Sequence, residues 1–249
     1  MLSSVKNQKT LPALIWLCFC TSLFIFSSGI SWKLNSAIDF TYPNWYQALD
    51  IKNHIQTYAP QNQYNKQDFV HTSSEQHYSL FSEVVVAINN HGEGLDKISY
   101  TIDERTKRLF TKSEVIHLED VSILIDRLTW LWLVNLIPLS ILLFAYIKNK
   151  VAMPDKKLKL QALITSALVI VLSFAFLGFK QIFYYFHTLV FPDNHQWFFY
   201  YQESLMSTFM KAPDLFAVMG LNLFLIAIII FYLVNYFLNK YINNITPNQ

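Results

Sequence analysis

Charged residues are scarce in this chain, and their scarcity limits the class of protein it can be. Asp, Glu, Lys and Arg make up 14% of the 249 residues, whereas hydrophobic residues make up 53%. Because soluble domains carry about 25% charged residues, the composition is typical of an integral membrane protein. The formal net charge of +2 gives no basis for nucleic acid as a partner.

Cysteine is equally scarce, and the chain's two cysteines fall inside one apolar run. Cys18 and Cys20 leave no disulfide framework for the remaining segments. The sequence also lacks a Cys-based metal motif, an HExxH helix, a phosphate-binding loop and a nucleophile elbow. We therefore expect no metal and no other cofactor.

Four long apolar runs hold most of the hydrophobic residues, at 11–30, 128–147, 160–183 and 215–238. Each reaches the roughly 20 residues that an α-helix needs to cross ~30 Å of hydrocarbon. A helix also satisfies its own backbone hydrogen bonds in lipid. The first run exceeds the ~7 to 15 apolar residues of a signal-peptide core, so we interpret it as a span.

Lysines between the second and third runs predict the orientation in the membrane. Five of them lie within 148–159, and the positive-inside rule assigns that loop to the cytoplasm. The sequence thus predicts a multi-pass protein of a bacterial cytoplasmic (inner) membrane, with both termini cytoplasmic. The predicted boundaries are helix 1 at 11–30, an extracytoplasmic domain at 31–126, helix 2 at 127–147, a cytoplasmic loop at 148–159, helix 3 at 160–183, an extracytoplasmic loop at 184–212, helix 4 at 213–238 and a cytoplasmic tail at 239–249.

Local signals in the segment after the first run predict a small α+β domain. Ser73 opens a capping box and a helix to about residue 89, and strand-like patterns on both sides of 103–107 predict a hairpin. A second capping box at Thr111 starts a helix that continues into the second span. The predicted fold class is an all-α membrane protein, a four-helix transmembrane bundle with a small extracytoplasmic α+β domain between helices 1 and 2.

Polar and aromatic residues elsewhere receive simpler interpretations. We expect 50–72 to be loop with a short helix, and Asn222 and Asn235 to form hydrogen bonds between helices. The aromatic residues Trp32, Tyr42, Trp45 and Tyr46 resemble an interfacial belt. We expect solvated side chains for five histidines, namely His54, His71, His77, His91 and His195.

His117 lies on the helix that leads into the second span. Glu114 and Asp120 are each three residues away from it and share its helical face. A carboxylate beside an imidazole fixes its tautomer, as a general base requires. The structural alternative is that Glu114 completes a capping box and Asp120 is a solvated acid.

His187 lies at the end of the third apolar run. Lys180 and Tyr184 share its helical face at i, i+4 and i+7 spacing, and ionisable groups close to lipid are often functional. The alternative is that Lys180 extends to the interface and Tyr184 belongs to an aromatic belt.

Short motifs surround both histidines and recur in a defined order along the chain. They are Leu109-Phe110-Thr111, Glu114, His117-Leu118, Asp120-Val121, Phe186-His187, Phe191, Trp197, Leu205-Met206, Pro213 and Phe216. Together they resemble the DUF1461 family of integral membrane proteins, and the similarity runs from about residue 78 to residue 238.

The resemblance implies four spans, an extracytoplasmic domain and acyl transfer, because the characterised branch of the family consists of lipoprotein intramolecular transacylases. These move the sn-2 acyl chain of a diacylglyceryl-cysteine to its own N-terminal amine. The two functional histidines of that branch match His117 and His187. The implied partners are the lipid bilayer and diacylated lipoproteins, and the sequence carries no signal of oligomeric state. Supporting roles for Glu114, Asp120, Lys180 and Tyr184 are our own hypothesis.

Two other functions stay open. One is a non-enzymatic accessory or assembly protein of the cell envelope, in which the histidines only stabilise the structure. The other is a helical bundle that binds haem through His117 and His187.

Overall fold

The computed structural model describes residues 2–148, 150–151 and 153–245. Within the helices it describes all side chains except those of residues 2–10, 163, 166, 167, 170, 171, 173, 174, 179, 180, 182–184 and 242–245. In chain order the helices and strands are α1 (Leu2–Ser36), α2 (Tyr42–Ala48), α3 (Ile51–Tyr58), α4 (Ser74–Asn89), β1 (Ser99–Ile102), β2 (Arg105–Arg108), α5 (Lys112–Ile147), α6 (Lys156–Leu177), α7 (Phe179–Val190), α8 (Leu205–Phe209) and α9 (Asp214–Ile245).

The described chain forms two compact units. The helical unit comprises 2–30, 130–186 and 225–245, and the α+β unit comprises 31–129 and 187–224. Each unit has its own cluster of buried hydrophobic side chains.

Three helices are long and apolar enough to cross a membrane among the described residues. They are Leu11–Ser36, Lys112–Ile147 and Asp214–Tyr241. The prediction of a mostly helical membrane protein is thus confirmed. A span over 160–183 stays a prediction, because many of its side chains lie outside the described part. That segment is divided between α6 and α7 at Gly178, whose φ of +75° favours glycine.

The helical unit packs α1 against α5 and α9. Trp16, Phe19 and Leu23 of α1 are buried with Tyr146 of α5 and Leu238 of α9. Close packing of this kind replaces the hydrophobic effect as the force between helices in lipid.

Polar pairs also join the helices, although not all as predicted. Asn222 donates a 2.8 Å hydrogen bond to Asn35 Oδ1, which confirms its predicted interhelical role. Asn235 instead donates to the Phe231 carbonyl within its own helix, so that prediction was wrong. The side-chain amide of an asparagine can donate to a backbone carbonyl one turn earlier in its own helix. The sequence does not distinguish this bond from one between two helices.

The α+β unit follows the predicted local signals closely. Ser73 caps α4 by accepting the Gln76 N–H, and Thr111 and Glu114 exchange hydrogen bonds at the start of α5. Strands β1 and β2 pair antiparallel with Ser99 opposite Arg108. The predicted second strand at 108–110 was wrong, because β2 starts at Arg105, after a turn of only two residues. Helix α5 has 36 residues and is therefore roughly 54 Å long. It continues without a break from the α+β unit through the predicted second span.

The core of the α+β unit corrects two sequence-based interpretations. Tyr42 and Tyr46 are buried at 1% and 3% exposure, so they are core residues and not an interfacial belt. The Tyr42 ring stacks on Phe81 at 4.1 Å, and its hydroxyl donates to the Phe209 carbonyl. The segment 50–72 contains the expected short helix, α3, but the rest of it is more ordered than a loop, since it also forms two short 3-10 turns.

Candidate functional site

His117 and His187 both contact Phe191 within the α+β unit. The ring centroids of His117 and Phe191 are 5.1 Å apart, and those of His187 and Phe191 are 5.4 Å apart. His117 comes from α5 and His187 from the last turns of α7. Two residues distant in sequence therefore meet at one phenyl ring, close enough for their charges to interact.

Other aromatic rings enclose the two imidazoles. Trp197 packs on His187 at 4.7 Å, and Phe199 packs on His117 at 5.8 Å. His117 and His187 both remain partly accessible. The buried Nδ1 of His117 has no hydrogen-bond partner among the described residues. A buried nitrogen without a partner is costly in a folded protein, and it is available to a substrate or water.

Asp120 forms a pair that the sequence did not predict. Its Oδ2 lies 2.7 Å from His195 Nδ1, and the Asp120 and His195 side chains are 10% and 30% exposed. The expectation of a solvated His195 was therefore wrong. The carboxylate proposed to orient His117 makes its hydrogen bond to a different histidine, 75 positions away in sequence.

Glu114 shares the helical face of His117, yet its hydrogen bonds are structural. The side chain is fully buried. Oε1 accepts hydrogen bonds from Ser204 Oγ and the Met206 N–H, and Oε2 accepts one from the Thr111 N–H. These contacts extend the predicted capping box into a link between α5 and α8. They support the structural alternative for this residue.

A cavity of about 310 Å³ adjoins the two histidines through Phe191 and Asp120. Its walls are mostly apolar side chains of α5 and of the end of α7, and Arg127 is its basic lining residue. The lining consists of Asp120, Ile123, Leu124, Arg127, Leu189, Val190, Phe191 and Pro192. Such a site suits a ligand with an apolar body and a few polar atoms.

Lys180 and Tyr184 lie on α7, but their side chains are outside the described part of the chain. Their proposed supporting roles therefore stay predictions. Among the described residues, no group of three or more His, Cys, Asp or Glu side chains could hold a metal ion.

His54 and His77 are further histidines that the sequence placed in solvent and the fold does not. His77 is 2% exposed and contacts Tyr46 Oη and Thr72 Oγ1 through its two ring nitrogens. Burial lowers the pKa of His77 to about 4, and burial also lowers the pKa of His54 to about 4. His77 is a core side chain, whereas His54 is half-buried against the rings of Tyr58 and Tyr201.

The arrangement around Phe191 is suited to proton transfer beside an apolar substrate. Burial lowers the pKa of His117 to about 4, so its imidazole is neutral near pH 7 and can accept a proton, as the general base of an acyl transfer must. The sequence identified both histidines, but it missed His195 and the aromatic enclosure. Arg127, two helical turns after Asp120, was the available signal for the cavity.

Comparisons with known proteins agree with this fold. A search of curated proteins finds no match. Two solved structures are similar, both in meso structures of the membrane integral lipoprotein intramolecular transacylase Lit from Bacillus cereus. The variant with a histidine-to-arginine substitution has a TM-score of 0.63 and 14% identity over 99% of both chains. The variant with a histidine-to-alanine substitution has a TM-score of 0.61 and 14% identity, over 98% of this chain and 100% of that one.

At 14% identity the two solved structures show only that the fold is shared. The family is shown by a match to a family model. The model described as lipoprotein intramolecular transacylase Lit matches residues 15–210, which is most of the chain. The chain belongs to the Lit family of lipoprotein intramolecular transacylases.

Proposed function

We propose that this protein moves the sn-2 acyl chain of a diacylglyceryl-cysteine to the α-amine of the same cysteine, which leaves a lyso-form lipoprotein. The observation that supports the proposal is the contact of His117 and His187 with the single ring of Phe191, in a chain of the Lit family.

The reaction needs one proton to be removed and one to be delivered. The amine nitrogen attacks the ester carbonyl carbon, a new C–N bond forms, and the bond from that carbon to the sn-2 oxygen breaks. The amine loses a proton and the departing glyceryl oxygen gains one, so the step is balanced without a co-reactant. Paired imidazoles can carry both transfers. Attack within one molecule also avoids the entropy cost of bringing two reactants together.

The cavity beside Phe191 is the proposed site of the acyl glyceryl group. Its apolar walls, such as Leu124 and Leu189, suit hydrocarbon, and Arg127 carries a guanidinium that can donate to ester oxygens. The hypothesis that Lys180 and Tyr184 donate to the tetrahedral oxyanion is retained as a second part of the proposal.

The proposed topology has four spans in a bacterial cytoplasmic membrane, at 11–30, 127–147, 160–183 and 213–238. The segments 31–126 and 184–212 then face outward, the loop 148–159 is cytoplasmic, and so are both termini. The positive-inside rule supports this orientation. Labelling of single cysteines by a membrane-impermeant reagent in a chain without Cys18 and Cys20 tests it, since only outward positions should react in intact cells.

The test of activity uses a bacterial strain that makes diacylated lipoproteins. Expression of the unsubstituted chain should convert lipoprotein N-termini to an N-acylated lyso-form of unchanged mass, which fragmentation mass spectrometry distinguishes from the diacyl form. His117→Ala and His187→Ala should each abolish conversion while the protein stays folded in the membrane. His71→Ala is the matched control, because His71 is an exposed histidine of the α+β unit. Persistence of only the diacyl form with unsubstituted protein would overturn the proposal.

Two other outcomes would favour the alternatives. Conversion that persists in both alanine variants would support an accessory role for the histidines. A Soret band in the purified protein, lost in His117→Ala and His187→Ala, would support haem ligation. Of the three functions, acyl transfer is the one that family membership supports.

A further inference from the structure

The pair formed by Asp120 and His195 joins α5 to the segment that follows α7. His195 Nδ1 and Asp120 Oδ2 are 2.7 Å apart. His195 lies in a turn, and its N–H donates to the Pro192 carbonyl. A rigid helix therefore holds a segment that otherwise has no regular secondary structure.

That segment, residues 191–199, supplies the rings around both imidazoles. Phe191 contacts His117 and His187, Trp197 packs on His187, and Phe199 packs on His117. All three rings are within four residues of His195. The position of the segment therefore sets the surroundings of both imidazoles.

We propose that His195 is a positioning residue, which acts through Asp120 to hold residues 191–199 so that their rings orient His117 and His187 for acyl transfer. This inference rests on the proposed function. His195 does not exchange protons with the substrate in this scheme, and its Nδ1 is used in the hydrogen bond to Asp120.

Because the Asp120–His195 pair lies beside the two imidazoles, its effect on acyl transfer can be distinguished from an effect on the stability of the protein. A single partly exposed histidine–aspartate pair contributes little to the stability of a whole protein. A small displacement of groups that orient reacting atoms, however, lowers the rate strongly. Loss of the pair should therefore affect the rate of transfer much more than the unfolding temperature.

The chain offers a matched control on the same helix. His91 Nδ1 lies 2.8 Å from Oδ2 of Asp126, which is on α5 as Asp120 is. This second pair is more exposed, with 73% of the His91 side chain and 39% of the Asp126 side chain accessible. His91 follows α4 and belongs to a different segment from the rings. His91→Ala thus removes a histidine–aspartate pair of the same chemistry without altering residues 191–199.

The experiment measures transfer on a synthetic diacylated lipopeptide by full-length protein in detergent. His195→Ala should lower kcat roughly tenfold with KM changed by less than about twofold. His195→Asn should restore much of kcat, because its amide N–H can replace the Nδ1–H donor. In a protein that already carries Asp120→Ala, His195→Ala should lower kcat little further, since the pair is already lost. His91→Ala should leave kcat unchanged.

Hydrogen exchange of residues 191–199 gives a readout that does not require activity. Exchange should be faster in His195→Ala than in the unsubstituted protein and return towards normal in His195→Asn. If exchange is unchanged, or kcat falls equally in His91→Ala, or the two substitutions are additive, the inference is overturned. If exchange rises as expected but the unsubstituted protein transfers no acyl chain, the proposed function fails and the role of the pair in holding the segment stands.

Discussion

Glu114 Oε1 accepts a 2.9 Å hydrogen bond from the backbone N–H of Met206, a residue 92 positions later in the chain. The same oxygen accepts a bond from Ser204 Oγ, and Oε2 accepts one from the Thr111 N–H. Because the carboxylate is fully buried, these three donors would otherwise lose their partners away from water. Glu114 is thus a structural link between the start of α5 and the start of α8.

Glu114→Gln should destabilise the protein without changing the chemistry directly. The amide replaces one acceptor oxygen by a donor that faces other donors, and each unsatisfied buried group costs about 1 to 3 kcal/mol. We expect a lower unfolding temperature in detergent, measured by intrinsic fluorescence. Glu119→Gln, at an exposed position on the same helix, should have no effect. An unchanged unfolding temperature with lost transfer activity would instead assign Glu114 a role in orienting His117.

Arg127→Gln should weaken substrate binding. Arg127 is the basic lining residue of the 310 Å³ cavity, and its guanidinium can donate several hydrogen bonds to ester oxygens. Loss of one charge-assisted hydrogen bond of about 1.5 to 3 kcal/mol should raise KM by roughly tenfold or more. Kinetics on a diacylated lipopeptide check this.

Arg105→Gln provides the control for Arg127, since Arg105 is an exposed arginine on β2, away from the cavity lining. Its KM should equal that of the unsubstituted protein. Equal KM values for both variants would exclude the cavity as the binding site of the acyl glyceryl group. Equal increases would indicate a non-specific effect of surface charge.

Local signals in the sequence predicted much of the fold. The capping boxes at Ser73 and Thr111 were predicted correctly because each depends on neighbouring residues alone. The hairpin was also predicted, but its second strand, β2, includes residues 105–107 that were expected to form the turn. The burial of Tyr42 was missed because an aromatic residue close to a span suits either an interface or a core. Only tertiary packing against Phe81 distinguishes them.

The candidate site was predictable only in part. The motif resemblance identified His117 and His187, and the structure brings both to Phe191. No sequence pattern linked Asp120 to His195, because a separation of 75 positions leaves the chain free to bring many other partners to Asp120. Asp120 shares the helical face of His117, but this pattern did not indicate that its carboxylate contacts His195.

The stability of the protein should fall with acid, in part through His77. Burial lowers the pKa of His77 to about 4, below the value of about 6.5 in an unfolded chain. The unfolded state then binds more protons between these two values. The contribution of neutral His77 is present above pH 6.5 and is lost as pH falls towards 4, by about 1.4 kcal/mol per pH unit at most.

His77→Gln isolates this contribution, because an amide does not titrate. The pKa of His54 is lowered in the same direction and has the same effect in both proteins, so the difference between their stability curves reports on His77. Unfolding temperatures measured from pH 7.5 to pH 4 should fall less steeply in the variant. Parallel curves would contradict a neutral, buried His77.

Gly29→Ala should destabilise the helical unit because a Cβ at this position has no space. It would lie 2.2 Å from the Trp132 ring, which packs across from α5. The ring would have to move, and Trp132 Nε1 would then lose its 3.1 Å hydrogen bond to the Phe26 carbonyl. Overpacking of this kind costs about 1 to 3 kcal/mol, which a lower unfolding temperature in detergent would reveal.

Gly220→Ala is the control that distinguishes packing from a general effect of glycine in these helices. Gly220 lies in α9, and an added Cβ there meets no atom within 4 Å among the described residues. Alanine also has the higher helix propensity, so Gly220→Ala should be neutral or slightly stabilising. If both variants lose stability equally, glycine itself is needed for helix flexibility. If only Gly29→Ala loses stability, then glycine is required at position 29 because α1 passes directly against the Trp132 ring.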